Sequence, residues 1–135
     1  PMVWQSDNLN AGFSSHKPWL PVAAEHYHLS VAAQEDETGA LLHHYRKAIA
    51  FRHSHPALMH GDLEKMRTKG DVVYFTLSQG DQVIFCAFNI SETPSDLDLP
   101  AGNWTTIGAE LGSAHASADG RLHFGPWQVC IALKT

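Results

Sequence analysis

VVYFTLSQGDQVIFCAFNI, residues 72–90, is the stretch on which the fold turns. Residues 72–78 and 83–90 are rich in Val, Ile, Phe and Tyr, whose branched or flat side chains suit a pleated surface. Gln79, Gly80, Asp81 and Gln82 lie between the runs. A short polar break containing glycine between two such runs predicts a β-hairpin. In the first run Val73, Phe75 and Leu77 share a face, because successive strand residues point to opposite sides. The second run is apolar on both faces, so it belongs in the interior of a sheet.

The β pattern continues on both sides of this hairpin. Residues 62–68 form a first short strand ahead of it. After it, Leu97 and Leu99 begin a strand that Pro100 ends, and Pro100, Ala101, Gly102 and Asn103 make the turn into residues 104–107. Residues 113–120 are small and polar, hence a loop, and 122–124 and 128–133 are the last strands. In the final strand Trp127, Val129, Ile131 and Leu133 alternate with Gln128 and Lys134, which predicts one buried face. Trp104 and Trp127 read as core or rim. Short strands with frequent turns predict a small antiparallel β-sandwich over residues 61–135.

Ahead of the sandwich the period changes. Residues 36–55 read as one helix, with Asp36 or Thr38 as N-cap and Pro56 as its stop. Glu35, Asp36 and Glu37 would then complement the positive end of that helix. Leu41, Leu42, Tyr45, Ala48 and Ile49 fill one apolar stripe. Burying its large members is worth roughly 1.5–3 kcal/mol each, so the stripe is expected to be covered by the sandwich, the preceding loop or a second copy. Residues 1 to about 35 carry no period. Pro18 and Pro21 forbid a continuous helix, and Asn8, Asn10, Gly12, Ser14 and Ser15 favour turns. So long an irregular stretch suits a loop facing an active site better than part of a self-sufficient small domain.

Composition excludes several function classes. A 44% hydrophobic content supports a real core, and a net charge of −5 with pI near 6.0 opposes nucleic-acid or anionic-membrane partners. No 18-residue apolar run is present to span a bilayer. The first residue is Pro rather than Met, as expected of a segment of a longer polypeptide. Cys86 and Cys130 lie in apolar runs and read as buried free thiols, and Cys86, inside a hydrophobic strand, is a poor nucleophile. Ten histidines raise the question of a metal, but the pairs His43–His44 and His53–His55 lack the i, i+4 spacing that converges two rings, so no metal site and no cofactor are expected. Asp96 and Asp98 flank Leu97 on a strand and face water. There is no G-x-S-x-G elbow, phosphate loop or dinucleotide fingerprint.

What remains is the opening loop. Trp4, Phe13 and Trp19 are aromatics that either stack on sugar rings or pin the loop by burying area. Asp7, among polar residues, is a candidate substrate contact. The candidate substrate-binding residues are therefore Trp4, Asp7 and Phe13, and no catalytic residue is assigned.

Pro1-Met2-Val3-Trp4, Asn10-Ala11-Gly12-Phe13 and Pro18-Trp19-Leu20-Pro21-Val22 resemble a barrel loop of bacterial α-glucosidases, members of the α-amylase superfamily in family 13 of the glycoside hydrolases. Val31, Gln34, Leu41-Leu42, Tyr45-Arg46, Ile49, Arg52, Pro56-Ala57-Leu58 and Gly61 continue the resemblance through the family's last barrel helix. Residues 62–135 are similar to its C-terminal sandwich, domain C. Val3, Gln5 and Ser30 stand where the family commonly has Gln, Asp and Asn. The resemblance implies an exo-acting retaining enzyme on a (β/α)8 barrel, whose two catalytic carboxylates lie about 5–5.5 Å apart on earlier strands, ahead of Pro1. Residues 1–60 would be the loop after strand eight and the last barrel helix, walling the pocket of an α-glucoside; residues 61–135 would cover the barrel. The expected partners are the rest of that barrel, the α-glucoside, and a second copy of the chain. A cytoplasmic location is expected. Two other readings stand beside it: a stand-alone carbohydrate-binding or interaction sandwich, and a parent enzyme that transfers or isomerises sugars, of the sucrose isomerase or trehalose synthase type.

Overall fold

The computed structural model describes residues 1–114, 116 and 120–135. Part of the expected 113–120 loop therefore lies outside the described residues. The chain divides into two compact units, Pro1–Lys47 and Ala48–Thr135.

The second unit is an antiparallel β-sandwich. Its strands are β1 (Asp62–Lys69), β2 (Val72–Gln79), β3 (Gln82–Asn89), β4 (Ser95–Asp98), β5 (Trp104–Ile107), β6 (Arg121–Phe124) and β7 (Val129–Lys134). A five-stranded sheet runs β1-β2-β3-β7-β5, and β4 pairs with β6 in a two-stranded sheet. The 72–90 stretch is the predicted hairpin, with Gln79 opposite Gln82 and β3 central. Its loop is Gly80-Asp81, and the β1–β2 loop is Gly70-Asp71; both glycines have φ +56. A positive φ at the first of two loop residues is what a type II′ turn needs, and glycine meets it without a Cβ clash. On β1 a bulge interrupts the register between Glu64 and Arg67. It adds twist to an edge strand whose every residue is exposed.

Both faces of the large sheet are covered. On one face Phe85, Ala87, Cys130 and Ala132 pack with Leu97, Leu122 and Phe124 of the small sheet. On the other, Ile84, Cys86 and Ile131 pack with Phe51 and Ala57. Phe51 lies near the end of α2 (Leu41–His53) and Ala57 in α3 (Pro56–His60). This corrects the single buried face expected for β7: Ile131 is buried on one side and Cys130 and Ala132 on the other. Trp127, read as core or rim and expected on that buried face, is 69% exposed and so not part of the core. Gly61 joins α3 to β1 with its N–H on the Ala57 carbonyl, where a Cβ would stand 2.3 Å from that oxygen.

The helix expected over 36–55 is α2, which starts later, after a turn around Gly39; a separate helix, α1 (Val31–Asp36), precedes that turn. Ser30, not Asp36 or Thr38, caps α1: its hydroxyl accepts from the Ala33 N–H at 3.2 Å. Residues 1–35 are less irregular than expected, containing α1 and 3-10 turns at Leu9–Gly12 and Ala24–Leu29. The apolar stripe of α2 is not hidden: Leu41, Tyr45 and Ile49 are all exposed, and the buried residue of the helix is Phe51. No helix among the described residues is long and apolar enough to cross a membrane.

Cys86 and Cys130 are free and buried. They sit on adjacent strands, Cys86 opposite Ile131 and Cys130 opposite Ala87, and face opposite layers of the core. Burial pushes the Cys86 thiol up to about 12 and the Cys130 thiol to about 11. Because both folded values lie above the ordinary 9.0, the thiols favour folding fully below that pH, and the contribution fades as pH rises through 11 and 12. The denaturant midpoint should therefore fall above pH 9.0, and fall less steeply in Cys86→Ala, measured relative to that variant's own value at pH 7. At Ile131, truncation to alanine opens a cavity between Phe51 and the sheet. Ile131→Ala should cost about 2–5 kcal/mol by urea denaturation; an unchanged midpoint would refute the assigned face.

Candidate functional site

The candidate site is the loop that opens the first unit, and its backbone is tied at both ends. Trp4 and Gln5 donate their N–H groups to the Ala11 carbonyl, at 2.9 and 3.2 Å. The Ala11 N–H returns to the Asn8 carbonyl at 2.9 Å, and the Asn8 side-chain amide donates to Gln5 Oε1. On the other side, the Val3 and Trp4 carbonyls accept from Val31 N–H and Ala32 N–H, each at 3.0 Å. These are orphan donors of the first turn of α1. With the Ser30 cap on Ala33, the helix start is satisfied largely by the loop itself.

The loop turns back through Asn10, Ala11 and Gly12, whose φ values are 49°, 56° and 70°. Three consecutive left-handed residues are unusual, and a buried alanine among them is strained by about 1–2 kcal/mol. Asn10 tolerates this region and stabilises it. Its side-chain amide donates to the Ser14 and His16 carbonyls at 3.0 and 2.9 Å. The sequence offered Asn10 only as a turn former; its role as the clamp of the loop is visible in the structure alone.

On this fixed backbone Trp4, Asp7 and Phe13 are all exposed. No hydrogen bond or ring contact joins their side chains among the described residues, so the loop displays them separately. Trp19 is 96% exposed. It borders a cleft of about 480 Å³ shared with Asn10, Lys17, Pro18, Val22 and Tyr27. Within this chain Trp4, Phe13 and Trp19 thus present aromatic surface to solvent.

Three carboxylates outside the loop are engaged with basic side chains. Glu35 is near the end of α1, not at a helix start, and takes a two-pronged contact from Arg46 at 2.6 and 2.7 Å. Those hydrogen bonds hold its carboxyl below the usual range. Asp96 and Asp98 face solvent as expected, Asp96 against His123 at 2.7 Å and Asp98 against Arg121 at 3.5 Å. No group of three or more metal-ligating side chains occurs among the described residues. A concavity of about 670 Å³ on the sandwich includes Asp98, Asn103 and Trp104. There the indole donates to the Pro100 carbonyl and packs against Phe85, so its ring is committed to the fold.

Comparison with known proteins places these features. The alpha-amylase catalytic domain family matches residues 1–61. A probable alpha-glucosidase of Rhizobium meliloti is 43% identical over 100 residues, covering 74% of this chain and 18% of that protein. The chain belongs to the α-amylase family. Among solved structures of the family, the alpha-glucosyl transfer enzyme XgtA superposes over the whole chain with TM-score 0.87 and 34% identity, covering 25% of that protein. The trehalulose synthase MutB from Pseudomonas mesoacidophila superposes over 100% of this chain and 25% of its own, with TM-score 0.76 and 27% identity. The chain thus spans a quarter or less of these relatives. Its sandwich is of the family's domain C type.

If Asn10 holds the loop, Asn10→Ala should speed hydrogen exchange at the Phe13 and His16 amides roughly tenfold or more, about 1.4 kcal/mol. Exchange in β3 should not change. Equal rates at Phe13 in both proteins would remove Asn10 from that role.

Proposed function

We propose that residues 1–60 are the end of the catalytic barrel of an exo-acting, retaining α-glucosidase, and that residues 61–135 are its C-terminal sandwich. The substrate class is α-linked glucosides such as malto- or isomalto-oligosaccharides. In this reading the chain contributes no catalytic carboxylate. The loop of residues 4–13 walls the sugar pocket, with Trp4, Asp7 and Phe13 as its contact residues, and the sandwich supports the barrel. The observation that carries the reading is the loop itself: its backbone is bonded at both ends and strained in the middle, while its aromatic side chains stay open. A surface ordered before ligand arrives loses little entropy on binding a sugar. A stand-alone binding module fits less well, since Phe51 and Ala57, within the catalytic-domain match, form part of the sandwich core. The free, buried thiols suit a reducing compartment, and we place the enzyme in the cytoplasm.

A second reading is favoured by one observation, the 0.87 TM-score to a glucosyl-transferring enzyme. In it the parent passes the glucosyl group to a sugar rather than to water. The two share a covalent intermediate and differ in what resolves it.

The test uses the intact protein that carries this segment and the 135-residue chain alone. With a chromogenic α-glucoside, the chain alone should give no turnover after rigorous purification, and the intact protein should release α-glucose first, by NMR. Turnover by the chain alone, or initial β-glucose, would overturn the proposal. Disaccharide products from glucoside plus acceptor, in place of glucose, would select the second reading. The exposed stripe of α2 makes self-association of the isolated chain the expected sedimentation result, which a clean monomer at micromolar concentration would refute.

A further inference from the structure

Trp127 stands where a bulky residue is least expected. Residues 125–128 form a turn in which the Gln128 N–H reaches the Gly125 carbonyl at 3.4 Å, with Pro126 first and Trp127 second of the central pair. Trp127 has φ +55, the left-handed value that this position of a type II turn demands and that glycine usually supplies. Its side chain is nevertheless 69% exposed, so no core contact here compensates the strain.

The conformation is imposed by a buried clamp. Asn89, 2% exposed, donates from its side-chain amide to the Thr93 and Gly125 carbonyls at 2.7 and 2.9 Å. Its Oδ1 accepts from the Ser91 N–H and hydroxyl at 3.2 and 2.9 Å. The Trp127 N–H in turn donates to the Ser91 carbonyl at 3.0 Å. The turn thus holds an exposed indole on a backbone bonded to Ser91, next in sequence to the exposed Ile90, at 55%, and near the end of the strand that carries Phe88, at 37%.

Phe88 and Ile90 follow Ile84 and Cys86 at alternate positions along the chain and so lie toward one end of a sheet face whose other end is already occupied. Near the β2–β3 turn, α3 sits on the sheet, with Ala57 N–H on Gln82 Oε1 at 2.8 Å. Phe51, Ala57 and Leu58 cover Ile84 and Cys86 there. All three fall within the part of the chain matched by the catalytic-domain family. Further along β3, Phe88 is 37% exposed and stacks on Phe75, with ring centroids 5.9 Å apart. This chain covers 25% of the transfer enzyme it superposes on, so three quarters of that protein lies outside the superposed part.

We infer that Phe88, Ile90 and the strained Trp127 are the anchor on which the remainder of the catalytic barrel docks against the sandwich. The occupant is a protein surface of the same polypeptide. This rests on the proposed barrel-plus-sandwich architecture. The strain at Trp127 is retained because the indole is buried only in the whole enzyme.

Two measurements on the intact protein test this. In hydroxyl-radical footprinting, Trp127 should oxidise at least tenfold more slowly than the same tryptophan in a released peptide. Oxidation within twofold of the peptide would overturn the inference, as would protection that appears only with added isomaltose or only at concentrations where dimers form. The second is Trp127→Gly. Relief of strain alone would raise the unfolding midpoint of the intact protein; loss of an anchor should lower it, and a raised midpoint would overturn the inference. Glucoside hydrolysis in the same preparation is read separately. An active enzyme with an accessible Trp127 sinks only the anchor, and an inactive one with a protected Trp127 sinks only the activity.

Discussion

The two-sided burial of the β3–β7 ladder is the constraint on which the rest depends. Phe85 and Ala87 of β3, with Cys130 and Ala132 of β7, face the small sheet, while Ile84, Cys86 and Ile131 face Phe51 and Ala57. Neither layer exists without the other strand in register, because a slip of one residue would exchange the two faces throughout. The ladder also makes the end of α2 and all of α3 part of the sandwich rather than an appendage. The compact unit accordingly begins at Ala48, ahead of the point where the catalytic-domain match stops at residue 61. Domain by sequence family and domain by packing do not coincide here, since burial follows apolar contact and not ancestry.

The central position of β3 was legible because both of its faces are apolar, and the hairpin because Gly80-Asp81 has one economical turn. The second face of β7 was not legible. Cys130 and Ala132 are small and register weakly beside Ile131 and Leu133, although a strand between two neighbours needs small residues where the layers approach. The late start of α2 carried a signal in Gly39, a residue that favours turns over helix interiors. Trp127 was misread for a physical reason: alternation was extended one residue past Pro126, into a turn whose positive φ ends the strand period.

The apolar stripe of α2 teaches a related lesson. Its spacing is helical and its members are large, so a partner surface is implied by the 3.6-residue period alone. Yet Leu41, Tyr45 and Ile49 remain exposed. Periodicity states what a helix is made to bury; it does not state whether the burying surface belongs to the same compact unit. The candidate loop shows the reverse. Its residue types announced turns and aromatic surface, but not that Val3 and Trp4 would serve the first amides of α1, a pairing between segments nearly thirty residues apart.

Loop and turn share one design. In both, a side-chain amide bonded to several carbonyls holds a non-glycine residue at positive φ: Asn10 beside Ala11, and Asn89 behind Trp127. An asparagine can do this because its amide satisfies carbonyls that no regular ladder reaches, and because full satisfaction makes its fixed position inexpensive even when buried. The strain is local and the bonds that maintain it are local, so each feature keeps its geometry without help from a ligand or partner. What each displays is aromatic surface. A chain that spends hydrogen bonds on holding indole and phenyl rings in solvent is organised around contacts that form outside its own core.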